Sequence, residues 1–329
     1  MWIRILNIFL RTKPNISGVG GTAVKNNRWD SDVLNISFLP LHKIPSDPQK
    51  ENSCKGIMCI AAWVWQAHPV YQLLLLLNRD EYHDRPTEPV GWWGLSDKQI
   101  LGGRDVVGGG TWLGCTKNGR MAFLTNVREP DSDHLADPKT RGALPVRFLE
   151  SVKSPAEFAE EIEKEADQYN GFNLILSDLC SKAMMYISNR PKGAISIQMV
   201  SPGLHVLSNA MLDTPWYKTQ LLGENFKELL EKQGDTEFVA QERVQELMTD
   251  TRKADFDKLP NTGVPPEWEH ALSSIFVEVD TKEGRYGTRS MAALSVKNDG
   301  EVNFFERYLE SGIWKEHTLQ YHIKNVSNV

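Results

Sequence analysis

CIAAWVWQAHPVYQLLLLLNRDE, residues 59–81, is the stretch that decides the fold. Its two apolar runs, 59–65 and 73–77, are separated by Ala67, His68 and Pro69, a spacing that predicts a buried β-hairpin. Asn78-Arg79-Asp80-Glu81 follows at once, and is expected at the strand's end, where the mouth of a sheet holds polar side chains. From spacing alone, Arg79 beside Asp80 reads as an ion pair closing the strand.

Outward from this hairpin, strands are expected at 111–116 and 121–127, joined across Lys117, Asn118 and Gly119, where Asn-Gly between apolar runs signals a tight turn. Ser154, Pro155 and Glu157 open a helix with an N-cap, a first-turn proline and a capping-box acid. Phe158, Ala159, Ile162, Ala166 and Tyr169 give it one apolar face. Strands follow at 172–177, 184–188 and 205–208, helices at 216–232 and 237–250, and strands again at 275–279, 291–296, 302–307 and 318–322. Residues 251–270, with Pro260, Pro265 and Pro266, read as a long exposed loop, either near a site or a simple connector, the connector being favoured. Strands, then helices, then strands predict two sheets with helices outside them.

Of the 329 residues, 40% are apolar and 24% charged, which excludes global disorder. No run approaches the roughly 18–20 apolar residues of a membrane-spanning helix. With 37 basic against 43 acidic side chains and no Lys/Arg block, nucleic acid is not an expected partner. Cys54, Cys59, Cys115 and Cys180 form no C-x-x-C pair and no zinc pattern, which fits a reducing, cytoplasmic compartment. Residues 1–57 are compositionally separate, with eight basic and four acidic side chains. They read as a leader: a mitochondrial transit peptide, a disordered tail or an upstream-start segment before Met58. Residues 58–329 read as a single domain.

Cys59 follows a methionine that an aminopeptidase or self-cleavage would remove. A cysteine at a new N-terminus has its own α-amine as general base, with a pKa of about 7.7–8.0 against about 8.5 for a free thiol. A nearby Arg79 would lower the thiol further; the competing reading is a small buried hydrophobe. Trp92, Trp93 and Trp112 flank glycines 108–110, which would let a flat ligand approach or serve packing alone; the loop lacks the ending of a phosphate cradle. His68 and His83 stand singly near turns and read as solvated side chains or haem ligands.

Met58-Cys59, Asn78-Arg79-Asp80-Glu81, Gly109-Gly110-Thr111-Trp112-Leu113-Gly114, Leu124-Thr125-Asn126, Asn170-Gly171-Phe172-Asn173-Leu174, Leu207-Ser208-Asn209-Ala210, Thr214-Pro215-Trp216 and Gly287-Thr288-Arg289 together resemble the NRDE family of Transport and Golgi organisation 2 homologues. The likeness spans essentially all of residues 58–329; the leader departs from it, since similar members begin at the Met-Cys. It implies roles in Golgi organisation, protein secretion and lipid homeostasis, a Golgi-associated location, a small-molecule partner, and haem as a ligand rather than a required cofactor. More distantly, the chain resembles N-terminal-nucleophile hydrolases of the choloylglycine hydrolase kind. That implies an α+β, four-layer αββα sandwich of mostly antiparallel sheets, with no metal and a catalytic set at Cys59, Arg79, Asp80, Asn126, Asn209 and Arg289. On it Asn126 and Asn209 would donate to an oxyanion, Asp80 would hold the α-ammonium, and Arg79 and Arg289 would bias the thiol toward thiolate. Two classes stay open: a cysteine amidohydrolase acting on a small acyl-amide, and a non-catalytic carrier or trafficking factor. A free α-amine at Cys59 separates them.

Overall fold

The computed structural model describes residues 58–95, 99–234 and 236–324. The expected leader, 1–57, lies outside the described residues. Fourteen strands are present among those described: β1 Met58–Trp65, β2 Tyr71–Tyr82, β3 Thr87–Trp93, β4 Ile100–Asp105, β5 Leu113–Thr116, β6 Arg120–Asn126, β7 Phe172–Asp178, β8 Ala183–Ser188, β9 Ser196–Met199, β10 Gly203–Leu207, β11 Glu278–Thr281, β12 Gly284–Lys297, β13 Glu301–Glu310 and β14 Ile313–His322. The helices are α1 Ala143–Glu150, α2 Pro155–Glu163, α3 Tyr217–Gln233, α4 Ala240–Leu247 and α5 Pro266–Ala271. One sheet runs β10-β1-β2-β12-β13-β14, with β11 paired to β12; the other runs β3 to β9 in chain order. Every pairing is antiparallel.

All eight residues of β1 are buried, because both faces of its sheet are covered. Ala61, Trp63 and Trp65, with Leu73, Leu75 and Leu77 of β2, meet the second sheet. Ile60, Ala62, Val64, Leu74 and Leu76 instead pack against Leu222 and Phe226 of α3 and Val244 and Leu247 of α4. A strand buried on both faces loses the apolar–polar alternation, which explains the unbroken leucine run. Each of Leu73 to Leu77 is fully buried, worth about 1.5–3 kcal/mol apiece, or roughly 8–15 together, as much as the net stability of an ordinary domain. The outer face of the second sheet packs Ala122, Leu124, Leu174 and Leu176 on Phe148 of α1 and on Phe158 and Ile162 of α2. The layers are therefore helix, sheet, sheet, helix.

The capping box forms as expected: Ser154 Oγ accepts from the Glu157 N–H at 3.2 Å, and the Glu157 carboxylate accepts from the Ser154 N–H at 2.8 Å. Several expectations change: the helix opened by Ser154 ends at Glu163, before Ala166 and Tyr169, and Arg79 pairs with Glu81 and Asp105 rather than with Asp80. Asn78 to Glu81 do not end a strand; β2 continues to Tyr82, because β1 and β12 pair with it on both sides through Asp80. Residues 251–270 are not a plain connector: Pro266 starts α5, and Glu269 on it is buried. The glycine-rich stretch yields β4, unforeseen because Gly102 and Gly103 hide its pattern. A Cβ on Gly102 would overlap the Leu113 carbonyl oxygen, and one on Gly103 the ring of Trp112.

Candidate active site

Cys59 and Arg79 are register partners across β1 and β2. Alternation along the strands turns both side chains to the face that Ala61 and Leu77 present to the second sheet. There they line a cavity of about 220 Å³ whose walls include Trp112, Leu124, Asn126 and Arg141. The Arg79 guanidinium lies 4.3 Å above the Trp112 ring, which reaches across β4 because Gly103 has no side chain to block it. Nη1 of Arg79 donates to Thr87 Oγ1 at 3.3 Å, and Nη2 lies 3.6 Å from Glu81 and 3.8 Å from Asp105. Asp105 also accepts from Nε of Arg85 at 2.9 Å. A buried guanidinium needs such compensation, since desolvating it costs several kcal/mol.

The thiol itself is not poised as a thiolate while Met58 precedes it. Burial first, and the Asp80 charge second, push it up to about 12 against the smaller opposing pull of Arg79. At neutral pH the thiol is therefore protonated. Asp80 points to the opposite face of β2, where its Oδ1 accepts from Thr288 Oγ1 at 2.6 Å. Its Oδ2 has no hydrogen-bond donor among the described residues, and the buried Lys218 Nζ has no acceptor. Burial raises the Asp80 carboxyl, with the Lys218 charge pulling the other way. The Met58 N–H donates to Tyr286 Oη at 2.9 Å.

Asn126 closes β6 at the cavity wall, and Asn209 stands behind it, its side-chain amide donating to the Asn126 carbonyl at 2.9 Å. Arg289 lies at the irregularity between Thr288 and Ser290, where the β2–β12 register shifts, and donates to the carbonyls of Tyr82 and Arg85. Of the six expected residues, then, Cys59, Arg79 and Asn126 line the cavity; Asn209 and Arg289 donate to the lining residues Asn126 and Arg85, and Asp80 lies on the other face of β2, bonded to Thr288. Residues not foreseen are Asp105, Arg85 and Arg141. An Asp before a glycine run signals an Asx turn, and Asp105 Oδ1 does accept from the N–H groups of Val107 and Gly108. Arg141 had no such signal. It reaches the cavity because Gly110 and Gly142 touch, a Cβ on Gly110 overlapping the Gly142 backbone. The glycines' close approach is thus to the chain's own backbone rather than to a flat ligand.

Neither His68 nor His83 lines the cavity, and none of its lining residues is histidine. His68 Nδ1 accepts from the backbone of Val70 and Tyr71. Among the described residues no three His, Cys, Asp or Glu side chains gather as a metal site. No described helix is long and apolar enough to cross a membrane.

Two face-to-face antiparallel sheets, with a cysteine on the inner face of one beneath a cation-lined cavity, define the class. Within it, the family model Transport and Golgi organisation 2 matches residues 58–311, and the chain belongs to that family. The Mus musculus Transport and Golgi organization 2 homolog is 29% identical over 284 residues, covering 82% of this chain and 100% of the relative. The Bos taurus homolog is 33% identical over 263 residues, covering 76% and 92%. A solved structure, the Caenorhabditis elegans N-acylethanolamine-hydrolyzing acid amidase ortholog, aligns over 59% of this chain and 86% of its own at 12% identity. Its TM-score of 0.34 is too low to bear on the fold, which rests on the sheets and clusters above.

Proposed function

We propose that this protein is a cysteine-centred amidohydrolase for a small acyl-amide, latent until Cys59 becomes the N-terminal residue. The observation that carries the reading is the placement of the Cys59 side chain on the cavity wall beside Arg79 and Asn126. Hydrolysis of the Met58–Cys59 bond would free an α-amine on the residue after Met58, the register partner of Asp80, whose Oδ2 has no hydrogen-bond partner among the described residues. The amine takes the thiol proton; the sulfur attacks the substrate carbonyl, and Asn126 donates to the oxyanion, an effect worth on the order of 10²–10³ in rate. The C–N bond then breaks, with the proton passing from the α-ammonium to the leaving amine. Water attacks the thioester, releasing the acid and restoring the thiol. Asp80 keeps the amine oriented, and Asn209 positions Asn126.

A second reading, a non-catalytic carrier, is favoured by the state of the uncleaved chain. There the Met58 amide is tied to Tyr286 and the thiol is protonated. Either activity would enter Golgi organisation, protein secretion and lipid homeostasis through the same small-molecule site, from the cytoplasmic side.

A chain beginning at Cys59 should release amine from members of a panel of N-acyl amides, and Cys59→Ser should abolish the release. The chain retaining Met58 should be inert in the same screen. Turnover undiminished by Cys59→Ser would overturn the hydrolase reading.

A further inference from the structure

The cavity's charges do not balance. Arg79, Arg85, Lys139 and Arg141 line it, Asp105 is the one acid among the lining residues, and Glu81 beside them lies 3.6 Å from Arg79 and 3.4 Å from Arg85. Asp105 is committed to Arg85 and to the Val107 and Gly108 N–H groups, and Lys139 to Glu165. Arg141 donates to the carbonyl of Gly171 at 2.9 Å and takes part in no salt bridge among the described residues. The acid whose charge acts on it most, Glu129, is held by Arg190. Desolvation lowers the Arg141 guanidinium to about 10, as in a half-buried cation short of a charged partner. On the same cavity wall, Arg79 Nη2 makes no hydrogen bond among the described residues, its acids Glu81 and Asp105 standing at 3.6 and 3.8 Å. Trp112, whose ring carries the Arg79 guanidinium 4.3 Å above it, and Leu124 are the larger apolar side chains of the lining. A cleft lined by one sign of charge gathers the opposite sign, and a guanidinium matches a planar oxyanion in two hydrogen bonds. At about 220 Å³ the space falls below the roughly 300–1,000 Å³ of drug-sized pockets, so the ligand is small.

We propose that the cavity selects small ligands carrying a compact oxyanion, a carboxylate in the first instance, on a flat apolar body, and that Arg141 is the residue that reads the anion. This deepens the hydrolase reading by naming the substrate's charge, and rests on it only for the statement that a carbonyl on the same ligand meets Cys59. Binding itself needs no turnover.

The test is titration of the full chain with benzoate, its neutral isostere benzamide, and phenyl phosphate, followed by calorimetry and by thermal shift. Benzoate should bind about tenfold or more tightly than benzamide, the size of effect expected of a buried charge-assisted pair. Arg141→Gln should bring the two within about threefold, and Arg141→Lys, which keeps the charge without the fork, should retain part of the preference. Phenyl phosphate binding ahead of benzoate would keep the anion site and reassign its oxyanion to phosphate. Benzoate binding no better than benzamide, or a preference untouched in folded Arg141→Gln, would overturn the proposal. Cys59→Ala separates the two readings: it should keep the benzoate preference whether or not a chain beginning at Cys59 hydrolyses any amide.

Discussion

The side-chain amide of Asn209 donates to the backbone carbonyl of Asn126 at 2.9 Å, fastening the end of β10 in one sheet to the end of β6 in the other. Two neighbours strengthen the seam: Thr125 Oγ1 donates to the Ser208 carbonyl at 2.6 Å, and the Arg128 N–H to the Asn209 carbonyl at 2.7 Å. Ser208 in turn donates its hydroxyl to the carbonyl of Cys59 at 3.0 Å. The cysteine and the cavity wall are thereby held in one hydrogen-bonded unit. Asn209→Ala should leave a buried carbonyl unpaired and cost about 1–3 kcal/mol. A denaturant midpoint unchanged at constant m would refute that role.

Thiol reactivity should depend on what precedes Cys59. In the full chain, Cys59 and Cys115 are both buried and pushed up to about 12, while Cys180 is exposed. Mapped by mass spectrometry at pH 7, iodoacetamide should therefore modify Cys180 well before the other two. In a chain that begins at Cys59 the new amine sits within reach of the sulfur, and Cys59 should overtake Cys115 by at least about tenfold. Equal rates for Cys59 and Cys115 in that shortened chain would count against the nucleophile.

The contact between Gly110 and Gly142 roofs the cavity. Gly110→Ala should force the two segments apart, at a cost of about 1–3 kcal/mol and with weaker benzoate binding. Gly91→Ala provides the contrast, because its Cβ would meet nothing closer than Pro89 O at 3.9 Å. That variant should stay within about 0.5 kcal/mol of the parent. A Gly110→Ala protein melting like Gly91→Ala would show that the roof tolerates separation.

His205 supplies a pH-dependent strut on β10. Its Nδ1 lies 2.9 Å from Asp213 Oδ2 and its Nε2 2.9 Å from the Ser201 carbonyl, an arrangement that uses both nitrogens as donors. Burial pulls its pKa down, but the Asp213 and Ser201 hydrogen bonds outweigh that and raise it. With the folded pKa above the unfolded value of about 6.5, the stabilisation is complete below that pH and is lost as pH rises through the folded pKa. The melting-temperature gap between wild type and His205→Gln should be widest near pH 5.5 and narrow toward pH 9. A gap that does not change with pH would rule this out.

Much of this architecture could be read along the chain. The runs at 59–65 and 73–77 had to be paired and buried, since nothing else would cover so much apolar surface, and the 154–157 cap placed its helix. The polar groups at Cys59 and Arg79 were legible for the same reason, standing beside those runs. Arg141 and Asp105 were not, because neither lies in a periodic segment. Their approach depends on Gly110, Gly142 and Gly103, whose missing side chains leave no pattern, only room.

What local composition and spacing settle here is the set of strands and the direction in which each must be buried. Which polar side chain meets which is settled by long-range packing. Alternation along β2 sends Arg79 toward the second sheet and Asp80 toward the helices, so adjacent residues serve different chambers. The protonation of Cys59 follows from the same cause. A thiol beside an arginine would be acidic in water, but two covering layers remove the water, and desolvation outweighs the neighbouring cation.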